Sequence, residues 1–134
     1  MSESYTRVEH VMVPNPQRID GLASVAAAIT AMRENRISSL VVDKRHEGDE
    51  FGLVVVADIA NQVIGRNRAP ERTNIYEIMS KPTLTVDLKM DIKYAIRLLD
   101  RFGVSRSLVT EHGDLVGIVT LRDMVLRYLA PGDI

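Results

Sequence analysis

The 134-residue sequence contains no cysteine. Disulfides, thiolate metal sites and a cysteine nucleophile are therefore excluded. Aromatic residues make up 4% of the chain and the formal net charge is −1. A protein that holds a nucleic acid needs a basic stripe that displaces counterions, and no such stripe is visible. No apolar run approaches the roughly 18 residues that cross a bilayer. The opening Met1-Ser2-Glu3-Ser4-Tyr5 lacks the cationic start and apolar stretch of a secretory signal. There is no glycine-rich phosphate loop, and His10, His46 and His112 lie too far apart to form a metal motif. Ser24 and Ser105 have no evident partner base, and the carboxylates of Asp49 and Glu50 read as a solvated turn. The expectation is a soluble, cytoplasmic protein that is not an enzyme, with no metal, no required cofactor and no membrane partner.

What is present is a packed core's worth of apolar residues, 46% of the chain, arranged twice. Laid over itself, the chain matches Val8–Met12 with Ile75–Met79, at the offset of 67 that separates Met12 from Met79. The same offset pairs Ser24-Val25 with Asp91-Ile92, Ala28-Ile29 with Ala95-Ile96, and Ile37-Ser38 with Val104-Ser105. It then drops to 65, so that Gly52, Val54 and Asp58 meet Gly117, Val119 and Asp123. The two extra residues of the first copy fall in its Lys44–Glu50 loop, where an insertion is tolerated.

Each copy carries the same local signals. Thr6–Glu9 and Asn74–Glu77 have the spacing of capping boxes, each opening a short helix that ends at Met12 or Met79. Brief extended pieces follow at Arg18-Ile19 and Leu84-Thr85-Val86. The main helices start after the N-cap residues Ser24 and Asp91, with apolar positions at helical spacing, and Gly103 suits the end of the second. Two short apolar strands come next, Ser39–Val42 with Gly52–Val56 and Ser107–Val109 with Leu115–Thr120, the latter pair joined by a hairpin at Glu111–Asp114. Last helices are predicted from Ala57 to Arg66 and from Leu121 to Leu129. The domain reading is repeat 1 over 6–66, a linker over 67–74 and repeat 2 over 75–130. One copy alone would have a marginal core, so a single pseudo-twofold globule of two packed copies is expected.

This duplicated β-α-β-β-α pattern, of the α+β class, resembles the pair of cystathionine-beta-synthase-type (CBS) repeats known as a Bateman module. The residues that carry the resemblance are Phe102–Val109 followed by Gly117–Asp123, with weaker first-copy equivalents Asn35–Val42 and Gly52–Asp58. It covers nearly the whole chain, from Thr6 to Leu129. The resemblance implies a regulatory module that senses an adenosine-containing ligand: AMP, ADP, ATP or S-adenosylmethionine. Energy sensing would fall within that class. It also implies a homodimer forming a four-repeat disc. No further domain is visible, so the output is expected to reach a separate, unknown protein partner.

Within that resemblance, Thr120 and Asp123 stand at the second strand-to-helix junction. Thr120 can cap the helix with Asp123 answering at its third position. Asp123 can equally accept hydrogen bonds from both ribose hydroxyls, with Thr120 beside it. Arg106 and Arg122 are the cations assigned to phosphate, with Ser105 next to Arg106. Thr83, Thr85 and Val86 would supply backbone and apolar contacts to a purine. In the first copy Asp58 is retained, but Val55 stands where Thr120 stands, so the second-copy site is expected to be the competent one. The other reading is a structural or interaction module whose nucleotide cleft is vestigial.

Overall fold

The computed structural model describes residues 6–128. The order of elements is α1 Val8–Val11, β1 Val13–Pro14, β2 Arg18–Ile19, α2 Val25–Asn35, β3 Ser39–Val42, β4 Gly52–Val55 and α3 Val56–Gln62, followed by β5 Thr85–Asp87, α4 Ile92–Phe102, β6 Arg106–Glu111, β7 Asp114–Thr120 and α5 Leu121–Tyr128. Between α3 and β5 lie three single 3-10 turns, Ile64–Arg66, Pro70–Arg72 and Ile75–Glu77.

The local signals act where they were placed, with some exceptions. Ser24 accepts the Ala27 amide and Asp91 the Lys93 amide, and Gly103 ends α4 at φ +66. The tight hairpin between β6 and β7 turns at His112 and Gly113, both at positive φ, as a two-residue type I′ turn requires. The predicted Thr6 cap is wrong: Arg7 is the N-cap, and its amide donates to His10 Nδ1 at 3.2 Å. The helix predicted to end at Met79 is one 3-10 turn. It opens with Glu77 accepting the Asn74 amide at 2.8 Å, while the Asn74 side chain reaches back to Leu22 O. The helix predicted over Ala57–Arg66 starts one residue earlier and stops at Gln62, because the chain tightens into a 3-10 turn.

The chain divides into two compact units, and these cut across the repeats. Among the described residues, one unit joins 6–16 to 84–128, and the other is Gln17–Thr83. Each unit thus holds the body of one copy and the lead segment of the other. Three backbone bonds fix the first lead segment: Val8 N–H to Met90 O, Glu9 N–H to Leu88 O, and Ile92 N–H to Thr6 O. Their counterparts 67 positions on fix the second: Ile75 N–H to Ala23 O, Tyr76 N–H to Gly21 O, and Val25 N–H to Thr73 O.

In the first unit the sheet order is β1-β7-β6-β5, with β5 parallel to β6 and the rest antiparallel. In the second the order is β2-β3-β4, and a Leu53–Ser80 bridge repeats the β1–β7 contact. Each unit has its own core. Val8, Val11, Leu99, Val109, Val119 and Met124 belong to one, and Val25, Leu40, Val54, Val63 and Ile75 to the other. Fully burying a valine is worth roughly 1.5–3 kcal/mol, so Val8 and Val11 together supply a substantial part of a small unit's stability.

The lead segments cross the sheets at glycines. A Cβ on Gly117 would lie 2.5 Å from Met12 Sδ and 3.0 Å from the Val13 carbonyl oxygen; on Gly52 it would lie 2.9 Å from Met79 Sδ and 3.3 Å from Ser80 O. Two of the three ion pairs within the Gln17–Thr83 unit hold a carboxyl below its ordinary range. Asp49, expected in a solvated turn, instead accepts Lys81 Nζ and the Arg45 amide, each at 2.8 Å, and its side chain is only 13% exposed. These bonds, the Lys81 one foremost, hold its carboxyl well below the usual range. Glu77 is also lowered, first by the Asn74 amide and then by Arg68, 2.6 Å away.

Gly117→Ala should cost about 1–3 kcal/mol, read as a lower urea midpoint, because the Val13 backbone cannot step aside. Gly52→Ala should cost less, since the flexible end of Met79 can yield. For Asp49 and Glu77, folded pKa values below the unfolded ones mean stability that is present above the unfolded value and lost as pH falls through the folded one. Urea midpoints should therefore decline below about pH 4.3 and further below about pH 3.9, the ordinary Glu and Asp values. Asp49→Asn combined with Glu77→Gln should flatten that decline.

Candidate functional site

The site suggested by the sequence gathers around the end of the β6–β7 pair where β7 runs into α5. Arg106, the first residue of β6, is the register partner of Thr120, the last of β7. Ser105 precedes Arg106, and its carbonyl accepts the Leu121 amide at 2.9 Å, satisfying the first free N–H of α5. The Thr120 hydroxyl accepts the Asp123 amide at 3.0 Å. That satisfies a second orphan donor, and among the described residues the Asp123 carboxylate accepts no backbone amide. Its charged neighbour is Arg127, with Nε at 3.9 Å.

Arg122 sits exposed in the first turn of α5, and neither it nor Arg106 forms an ion pair among the described residues. The site therefore combines a half-buried acceptor carboxylate, a hydroxyl and two uncommitted guanidinium groups. A carboxylate with free lone pairs can take a vicinal diol, and a planar guanidinium suits a phosphate.

Other predicted residues fall differently. Thr85 is exposed at the start of β5, opposite Leu108. Val86, only 2% exposed, is spent in the core, so its backbone alone remains for a ligand. Thr83 is the last residue of the other unit, and Asp58 also belongs there. The Asp58 carboxylate accepts the Val55 amide at 3.0 Å, so it is engaged at the start of α3.

Two contributors were not singled out from the sequence. The buried Ser107 hydroxyl lies 3.0 Å from Leu84 O and ties the start of β5 to β6; nothing local distinguishes it from any strand serine. Arg127 donates through Nη1 to Val11 O and Met12 O at 3.2 and 3.3 Å while facing Asp123. Its spacing four residues after Asp123 was a readable signal. An open depression of about 520 Å³, lined by Asp87, Lys89, Met90, Asp91 and Tyr94, lies at the far end of β5 from these groups. Asp87 pairs with Thr110, four residues along β6 from Arg106, or about 13 Å. Among the described residues there is no cluster of metal-binding side chains, and no helix is long and apolar enough to cross a membrane.

Comparison with known proteins bears on the family and the fold. The family model of the CBS domain matches twice, over residues 8–65 and 75–130. The chain is 33% identical over 96 residues to an uncharacterized protein of Methanopyrus kandleri, covering 70% of this chain and 48% of that protein. It spans less than half the length of the uncharacterized proteins it matches in this way. The hexameric CBS-CP12 protein from bloom-forming cyanobacteria superposes with a TM-score of 0.87 at 31% identity, over 91% of this chain and 70% of that one. A CBS domain protein from Pyrobaculum aerophilum, solved in complex with AMP, superposes with a TM-score of 0.79 at 20% identity, over 90% and 92% of the two chains. With two matched domains spanning both copies of its duplication, the chain belongs to the CBS-domain family.

Proposed function

We propose that the chain is a regulatory module that binds one adenosine-containing ligand at its second-copy site and passes the occupancy to a partner. The observation that carries this reading is the state of Asp123. It is a half-buried carboxylate whose amide is capped by Thr120, and Thr120 has Arg106 directly across the strand pair. Asp123 would take the ribose diol, and Arg106 and Arg122 the phosphate, at a helix start that favours anions. Ser105, Thr85 and the Val86 backbone would border the base. The AMP found on the Pyrobaculum aerophilum protein makes AMP the first ligand to try, ahead of ADP, ATP and S-adenosylmethionine. A ligand shifts the module's shape only by its preference for one conformation over another, so the partner must read that difference.

Self-association fits the same reading. Phe102, Val125, Leu126 and Tyr128 are about half exposed on α4 and α5, an apolar surface that a second copy in a four-repeat disc would cover. The same surface supports the alternative of an interaction module without a ligand.

At a ligand concentration 100 times Kd, binding to the folded protein adds about 2.7 kcal/mol, a melting-temperature rise of roughly 10 °C. Thermal-shift titration should show that rise with one adenosine ligand, and Asp123→Ala should abolish it. Calorimetry should give one site per chain. Arg106→Ala should weaken AMP by about tenfold or more while leaving adenosine nearly unaffected, since only the phosphate contact is lost. No shift with any of the four ligands would favour the interaction module.

A further inference from the structure

The two copies share one frame at the strand-to-helix junction. Ser39 pairs with Val55 as Arg106 pairs with Thr120. The first helical amide is satisfied alike in both, Val56 N–H by Ser38 O at 3.0 Å and Leu121 N–H by Ser105 O at 2.9 Å. The next bond runs in opposite directions. In the second copy a backbone amide, that of Asp123, donates to the Thr120 hydroxyl at 3.0 Å. In the first copy Val55 has no hydroxyl and makes no side-chain cap; the Asp58 carboxylate turns back instead and accepts the Val55 amide at 3.0 Å.

We infer that the junctions differ by a cap exchange set by the N-cap residue: a hydroxyl there takes the third helical amide and the aspartate stays off the backbone, whereas a valine there leaves the aspartate carboxylate on the N-cap amide and withdrawn from ligand binding. Thr120 is then a positioning residue, which frees Asp123 by taking the cap itself. Val55 is the specificity-determining residue of the first copy, because it commits Asp58 to the cap. A carboxylate bonded to a helix-start amide gains a charge-assisted bond and a favourable dipole, and a ribose would have to displace both. Retaining the aspartate in both copies therefore does not give two equivalent sites. The part of this inference that concerns binding rests on Asp123 being the ligand carboxylate; the exchange of caps does not.

Both parts can be tested separately on the full chain. Without ligand, Asp58→Ala should lower the melting temperature by about 3–5 °C, the loss of one helix cap, while Asp123→Ala should change it by about a degree or less. Placing Val55→Thr beneath Asp58→Ala should remove most of that loss, because the new hydroxyl takes the cap. Thr120→Val should keep a near wild-type melting temperature as Asp123 swings onto the cap, yet weaken AMP by about tenfold or more in calorimetry. Thr120→Ser should restore both. Equal losses from Asp58→Ala and Asp123→Ala, or an Asp58→Ala loss that Val55→Thr leaves intact, would overturn the cap exchange. So would a Thr120→Val protein that melts early and binds AMP normally. If the wild-type protein binds none of AMP, ADP, ATP and S-adenosylmethionine, the ligand reading fails while the ligand-free melts still decide the exchange.

Discussion

Everything else in the structure depends on how each lead segment is held by the body of the other copy. The body of one copy is two short strands against β2 or β5 and two helices, too little to bury its apolar faces. Val8 and Val11 complete one core and Ile75 completes the other, each anchored by backbone bonds that repeat 67 positions apart. The same crossing explains the glycines. Gly117 and Gly52 stand where the lead segment runs over the sheet so closely that a methyl group has no room. The packing of a lead segment thereby dictates a strand residue far from it in the chain.

The candidate site inherits its geometry from this arrangement. The β6–β7 hairpin sets Arg106 opposite Thr120, and Arg127 ties α5 to the carbonyl end of α1. The helix that carries Asp123 is consequently fixed from both sides, by its cap at one end and by the borrowed segment at the other. Rigid support of this kind is what a carboxylate needs if it is to meet a diol without first paying to order itself.

Much of this was legible in the sequence because it is local or repetitive. Ser24, Asp91 and Gly103 mark helix ends through bonds made within a few residues of themselves, and the hairpin at His112-Gly113 announces its turn. The duplication exposed the whole order of elements. What escaped depends on distance in the chain. Asp49 looked like part of a solvated turn because its partner Lys81 lies 32 residues away. His10 replaced the predicted cap because a histidine nitrogen in reach of the Arg7 amide leaves no mark in a spacing rule. At the site, the residues Thr120, Asp123 and Arg106 were readable as a group, and the substitution of Val55 was visible. The direction in which Asp58 faces was not, because an aspartate at the third helical position can serve as cap or as ligand, and only the folded junction separates the two.

The crossing of repeats and units has a further meaning for the origin of such a chain. Its second unit is a continuous stretch of sequence, Gln17–Thr83, that interrupts the sequence of the first. A single ancestral copy, cut at the repeat boundaries, would carry a lead segment that its own body does not use. It would complete its core only by trading that segment with another molecule, so its folding would be second order in concentration. A covalent tether between two copies supplies the same exchange at a fixed effective concentration within one chain.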